Sequence, residues 1–275
     1  MPYKYSPFQT TKFRKAFFVI CFLLSSLLSS AQMPTPALVG YWENWNNMKL
    51  TDIHENYTVI QVAFAVTKGN SLYDMEFNRP SWYTKTDFLA DIDALHEEDK
   101  IVILSLGGAN DPIRLDNQTA YISFVASMNA IMEEYEYAFD GIDIDFESTS
   151  LDFGNEWTID EPSVAQQYLI DAIRAIKAKY FETTEKRMLL TMAPENIYLV
   201  GALSSWQFAN SNGGAMLPII VEMEDEIDLL HSQFYNNYSS TIAIDGRSYT
   251  EGSGDFIVAI TESILYGFDL PNGKG

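Results

Sequence analysis

Short apolar runs alternate along the chain with longer segments whose apolar residues recur every three or four positions. The runs at 38–42, 59–66, 101–106, 141–147, 188–193 and 229–235 predict six strands. Between them, 87–97 puts Phe88, Ile92 and Leu95 on one helical face, and 119–136 and 163–181 repeat that spacing. A further helix is expected at 255–268, and Ser163 is placed to cap the helix that follows it. Glycines at 213–214 and 252–254 mark loop turns. Such alternation, with near-continuous apolar strands, predicts an α/β protein with a parallel sheet. An open doubly wound sheet and a closed (β/α)8 TIM barrel both satisfy it. No GxGxxG or GxxxxGK[ST] follows the first strand, so a nucleotide-binding sheet lacks support. Polar residues gather at the ends of many strands, which favours the barrel, with a site on its C-terminal face. Only six strand–helix units are visible, and a barrel takes eight. The expectation is therefore an incomplete barrel, truncated at its C-terminus. Its first and sixth strands would be open edges, and the isolated chain unstable or aggregated, and inactive.

The N-terminus reads differently. Lys4, Lys12, Arg14 and Lys15 are the only charges before an apolar run at 16–28, and Ser29, Ser30 and Ala31 follow. A basic start, a short apolar core and small residues at the end predict a secretory signal peptide over 1–31, with a catalytic domain over 32–275. The run is too short for a membrane span. Cys21 lies within it, preceded by Ile20 where a lipoprotein signal wants a small residue. The rest of the chain then has no cysteine and no disulfide. Sequons at Asn56, Asn117 and Asn237 matter only in a glycosylating host.

Composition narrows the partner. Of 275 residues, 17 are Lys or Arg and 38 Asp or Glu, a net charge of -21, and 47% are hydrophobic. Such a chain buries a large core, so wholesale disorder is excluded. The charge disfavours nucleic acid and anionic membrane surfaces and repels acidic substrates, which leaves a neutral or cationic ligand.

Phe139-Asp140-Gly141-Ile142-Asp143-Ile144-Asp145-Phe146-Glu147 is the most informative stretch. On a strand, Asp143, Asp145 and Glu147 share one face, and Ile142, Ile144 and Phe146 share the other. In a barrel the carboxyls point inward near the strand's C-terminal end. Their repulsion raises at least one pKa and leaves a proton available to a general acid. A solvated acidic edge strand would not carry the apolar partner face. A divalent-cation site uses the same hard oxygens, but an EF-hand loop needs other spacing and a glycine. His54, His96 and His231 are scattered without metal-ligand spacing and are expected to be structural or solvated.

The DxxDxDxE pattern Asp140-x-x-Asp143-x-Asp145-x-Glu147 resembles the signature of the family 18 glycoside hydrolases, the chitinase family. Ser105-Leu106-Gly107-Gly108 is similar to the family's SxGG motif, and Gly40-Tyr41-Trp42 to the first strand of bacterial chitinases. Leu190-Thr191-Met192-Ala193-Pro194-Glu195 looks like the fifth strand. Gln233-Phe234-Tyr235-Asn236 resembles the Gln-x-Tyr-Asn subtype of the sixth. The family's last two strands, with a substrate-stacking tryptophan, have no counterpart in the sequence.

The resemblance implies a secreted enzyme acting on chitin or N-acetylglucosamine oligosaccharides, without cofactor or metal, and monomeric when full length. It implies Glu147 as acid and base, and Asp145 and Tyr235 as partners of the substrate's acetamido group. Asp143 would share a proton with Asp145. Tyr41, Ser105, Met192, Glu195, Gln233 and Asn236 would line the sugar site or support the acids. Trp45 and Trp157 are the preferred stacking residues. Asp140, Gly107 and Gly108 would be structural support. An endo-β-N-acetylglucosaminidase acting on N-glycans would carry the same acidic motif. A chitinase-like lectin usually lacks the general acid, and Glu147 is present.

Overall fold

The computed structural model describes residues 32–271 except Asn155, Ser211, Tyr238 and Ser239. The segment 1–31, expected to be a signal peptide and holding Cys21, lies outside the described residues.

The strands are β1 (Val39–Glu43), β2 (Val59–Thr67), β3 (Met75–Phe77), β4 (Ile101–Gly107), β5 (Gly141–Asp145), β6 (Leu189–Met192), β7 (Leu229–Leu230), β8 (Ser240–Ile242) and β9 (Ser248–Thr250). Six of them form one parallel sheet in the order β1-β2-β4-β5-β6-β7. These are the six strands expected from the apolar runs. The helices are α1 (Lys85–Glu97), α2 (Gln118–Glu134), α3 (Val164–Thr184), α4 (Ser205–Asn210), α5 (Leu217–Glu222) and α6 (Gly254–Tyr266). The parallel order with intervening helices makes a curled, partial (β/α)8 barrel.

Local chemistry sets the boundaries. Ser163 caps α3 as expected: its hydroxyl accepts from Gln166 N–H and the Gln166 side chain accepts from Ser163 N–H. Asn117, the middle sequon residue, spends its side chain capping α2 by accepting from Ala120 N–H at 3.1 Å. The sixth strand reaches past its two regular residues. His231 N–H donates to Met192 O and Gln233 N–H to Pro194 O, both at 2.9 Å.

Strand alternation divides the core. Ile142, Ile144, Phe146 and Met192 face the helices and are buried in the main cluster. Val59, Ile101, Ile103 and Leu189 form a second cluster on the opposite, inner side, with Met33, Ala37 and Val39 packed against it. This inner cluster plugs the N-terminal end of the barrel and leaves the C-terminal end to polar side chains.

Candidate active site

The inner positions next along each strand are polar. Parallel register sets Ser105, Asp143 and Thr191 abreast on β4, β5 and β6, and Tyr41 abreast of Gln61 on β1 and β2. Asp143 is fully buried and heavily bonded. Its Oδ2 accepts from Tyr41 Oη at 3.0 Å and Ser105 Oγ at 2.6 Å. Its Oδ1 accepts from Thr191 Oγ1 at 2.6 Å and lies 3.3 Å from His231 Nε2. Burial pushes this carboxyl up. When the His231 ring donates to it as a cation, that ring and the Ser105 and Thr191 hydroxyls outweigh burial and hold it below the usual carboxylate range.

Asp145, two residues on, goes the other way. Burial first, then the charges of Asp143 and Glu147, push it up to about 8, against the lowering effect of a hydrogen bond from Gln233. Burial leads, and the repulsion expected within the acidic strand adds to it in raising Asp145. Glu147 lies just beyond the end of β5, half-buried where the site opens. Gln233 ties the pair together: its Nε2 lies 2.8 Å from Asp145 Oδ1 and 3.1 Å from Glu147 Oε1, and 3.0 Å from Ala193 O.

Glu195 is buried at the same end, its backbone bridged to that of Gln233. Burial and the Glu147 charge push it up to about 7. Tyr235 is 55% exposed. Burial of part of the ring, then Asp145, Glu147 and Glu195, raise its hydroxyl, so it remains a donor facing the carboxyls. Burial and Asp143 do the same to Tyr41.

The SxGG turn owes its glycines to backbone geometry. Gly107 and Gly108 have φ of 105° and 83°. A Cβ on Gly107 would sit 2.6 Å from Asp145 O, and one on Gly108 2.8 Å from the Phe64 ring. Gly108 N–H also donates to Asp145 O at 2.8 Å, so the turn clamps the end of the acidic strand. Asp140 supports the other end. Its Oδ2 takes Val102 N–H and contacts His96 Nε2, each at 2.9 Å, which joins α1 to the sheet.

Three expected residues stand elsewhere. Met192 does not line the site: it is level with Ile144 on the helix-facing side and buried in the core. Trp157 is no open platform, being 4% exposed and edge-on to Phe208. Asn236 is exposed in a left-handed turn, where its backbone N–H bonds Glu251 Oε1 at 3.2 Å. Trp45 keeps an accessible face, 61% exposed and stacked on Phe64 with centroids 6.2 Å apart. Three members of the polar layer went unassigned in sequence: Gln61, Thr191 and His231. Gln61 was visible as a lone polar residue inside an apolar strand, and Thr191 and His231 keep the two-residue period with Ala193 and Gln233. Among the described residues no group of three or more His, Cys, Asp and Glu side chains is placed to hold a metal ion.

The sequence model of Glycosyl hydrolases family 18 matches residues 37–250. Chitinase Chi52 of Paenibacillus xylanexedens is 35% identical over 247 residues, which are 88% of this chain and 45% of that protein. Chitinase D of Niallia circulans is 34% identical over 252 residues, with 86% and 45% covered. The chain thus spans just under half the length of these two relatives. Among solved structures, a family GH18 chitinase from Chromobacterium violaceum superposes with a TM-score of 0.72 at 34% identity. That match covers 87% of this chain and 61% of the other.

Proposed function

The chain belongs to the family 18 glycosyl hydrolases, and we propose that it hydrolyses β-1,4 bonds between N-acetylglucosamine units of chitin with retention, by a substrate-assisted route. The observation that carries this reading is the Gln233 amide bridging a buried Asp145, its carboxyl pushed up to about 8, to a half-exposed Glu147 at the open end of the barrel.

Glu147 gives its proton to the glycosidic oxygen. The substrate's acetamido oxygen attacks the anomeric carbon, the glycosidic bond breaks, and an oxazolinium ion forms. Glu147, now a carboxylate, takes a proton from the water that opens this ion. Asp145 accepts the acetamido N–H and faces the positive ring. A protonated carboxyl keeps acceptor lone pairs, so Asp145 does this while sharing its proton with the neighbouring Asp143 carboxylate. Tyr235 donates to the acetamido oxygen and fixes its line of approach. Trp45 supplies an accessible aromatic face for a sugar ring. The whole protein is read as secreted through its 1–31 segment. No helix among the described residues is long and apolar enough to cross a membrane.

The test is turnover of chitin oligosaccharides beside high-mannose glycopeptides, with the full-length parent of this chain and with its Glu147→Gln variant. Cleavage of chitin oligosaccharides, lost in the variant while binding persists, is the expected result. Release from glycopeptides alone would move the assignment to an endo-β-N-acetylglucosaminidase. Binding without cleavage would make the protein a lectin.

A further inference from the structure

Beneath the catalytic carboxyls lies a closed ring of four polar side chains, Asp143, Thr191, Gln61 and His231. Gln61 is fully buried in the middle of β2. Its Nε2 donates to Thr191 Oγ1 at 3.0 Å and lies 2.9 Å from His231 Nε2. Thr191 donates to Asp143 Oδ1 at 2.6 Å, and His231 Nε2 returns to that same oxygen at 3.3 Å. The remaining Gln61 atom, Oε1, is buried and accepts no hydrogen bond from the protein.

Counting hydrogens around the ring decides its state. A threonine hydroxyl has one hydrogen, and Thr191 uses it on Asp143. Its oxygen must then accept from Gln61, which fixes the amide with nitrogen toward Thr191. The second hydrogen on that nitrogen points to His231 Nε2, which can take it only as a lone pair. With the amide in this orientation the imidazole is neutral, with its proton on Nδ1, and its 3.3 Å approach to Asp143 carries no hydrogen. A proton added at Nε2 reverses the ring. His231 then donates to Asp143 Oδ1, and the Gln61 amide must turn to bring its unpartnered Oε1 toward Nε2–H and the Thr191 hydroxyl. Asp143 exchanges a neutral donor for a charged one, a stronger hydrogen bond.

We propose that His231 is a positioning residue for the reaction: through Gln61 and Thr191 it sets the donors on Asp143 and hence which aspartate of the catalytic pair holds their shared proton. The proposal rests on the chitinase reading for its kinetic consequence, but not for the ring itself. The titratable groups facing the ring are few. Tyr41 comes from β1, with its ring centroid 6.2 Å from that of His231, and Asp143 and Asp145 come from β5. Gln61, Ser105 and Thr191, from β2, β4 and β6, are neutral.

Two measurements on the full chain test it. The sequence holds three histidines, so ring-nitrogen NMR signals are readily assigned by single substitutions. The neutral His231 ring is expected to carry its proton on Nδ1, with Nε2 as acceptor, and the Gln61 side-chain amide signals should shift as His231 protonates. A neutral ring protonated on Nε2, or Gln61 signals indifferent to His231, overturns the ring. This arm reads equally well on a chain without turnover, so failure of the chitinase reading stays separate. In the kinetic arm, His231→Leu should lower kcat about tenfold or more with KM within about threefold. His231→Gln retains an amide oxygen that accepts from Gln61. It should recover part of that loss and flatten the acid side of the pH profile. If His231→Gln and His231→Leu keep the wild-type pH profile and differ only in thermal stability, the residue is structural and the proposal fails.

Discussion

The two ends of the barrel interior use the same strands and opposite chemistry. At the N-terminal end, Val39, Val59, Ile101, Ile103 and Leu189 pack into an apolar plug. One inward position further along each strand stand Tyr41, Gln61, Ser105 and Thr191, with Asp143 beside them on β5. Two residues of strand are about 6.6 Å of rise. Within that distance the interior passes from dry packing, which specifies the fold, to a bonded polar layer, which specifies the reaction. The plug gives the carboxyls an apolar floor, and burial heads the causes that raise Asp145. The two layers are therefore coupled: the apolar one shapes the protonation of the polar one.

The sharpest way to separate them is Glu147→Gln. We expect hydrolysis to fall by about 10²–10⁴-fold while stability moves by no more than about 0.5 kcal/mol, read by turnover and denaturant unfolding. Ile103→Ala is its mirror image in the plug. Its expected cost is about 2–5 kcal/mol of unfolding free energy, with the activity of the folded fraction less affected. An Ile103→Ala protein of unchanged stability would break the division.

Asp145→Asn tests the coupling and carries a pH signature. A carboxyl raised in the folded state binds its proton more tightly there than in the unfolded chain. Asp145 therefore costs nothing below its ordinary 3.8, costs more as pH rises, and reaches its full cost above about 8. The variant should be inactive yet melt roughly 2–4 °C or more higher at pH 8, and at the wild-type temperature at pH 3.5. Asp143, held low, has the opposite sign. It stabilises above the ordinary carboxylate range and loses that contribution on acidification. The smallest effect belongs to Trp45→Ala, expected to raise KM severalfold with a melting change under about 2 °C.

What could be read from sequence follows the same division. Parallel strands buried on both faces are near-continuous apolar runs, so all six were legible. Ser163 and the acidic strand carried equally local signals. The three-residue β3 and the polar hairpin of β8 and β9 escaped because neither is long or apolar enough to stand out. The helices α4 and α5, six residues each, are too short for a helical period. Met192 was misassigned because the motif gives neighbours in sequence, whereas register decides the face: Thr191 is level with Asp143, and Met192 with Ile144. Trp45 and Trp157 both follow strand ends, and only packing tells the accessible ring from the buried one. His231 looked solitary because its partners are 88 and 170 residues away.

The Gln233 amide nitrogen has two hydrogens and three oxygens within reach, on Asp145, Glu147 and Ala193. At any instant one of the three goes without. Gln233 Oε1 is meanwhile buried and accepts nothing from the protein. The resting cleft is thus short of hydrogens on both sides of one amide, and the amide itself cannot correct this, since it neither gains nor loses a proton at any working pH. A guest rich in N–H and O–H groups meets that shortage, while a guest offering only acceptors would deepen it. On the proposed reading, selectivity for an amide-bearing, polyhydroxylated sugar would begin at the saturation of a single side chain, before any carboxyl has moved a proton.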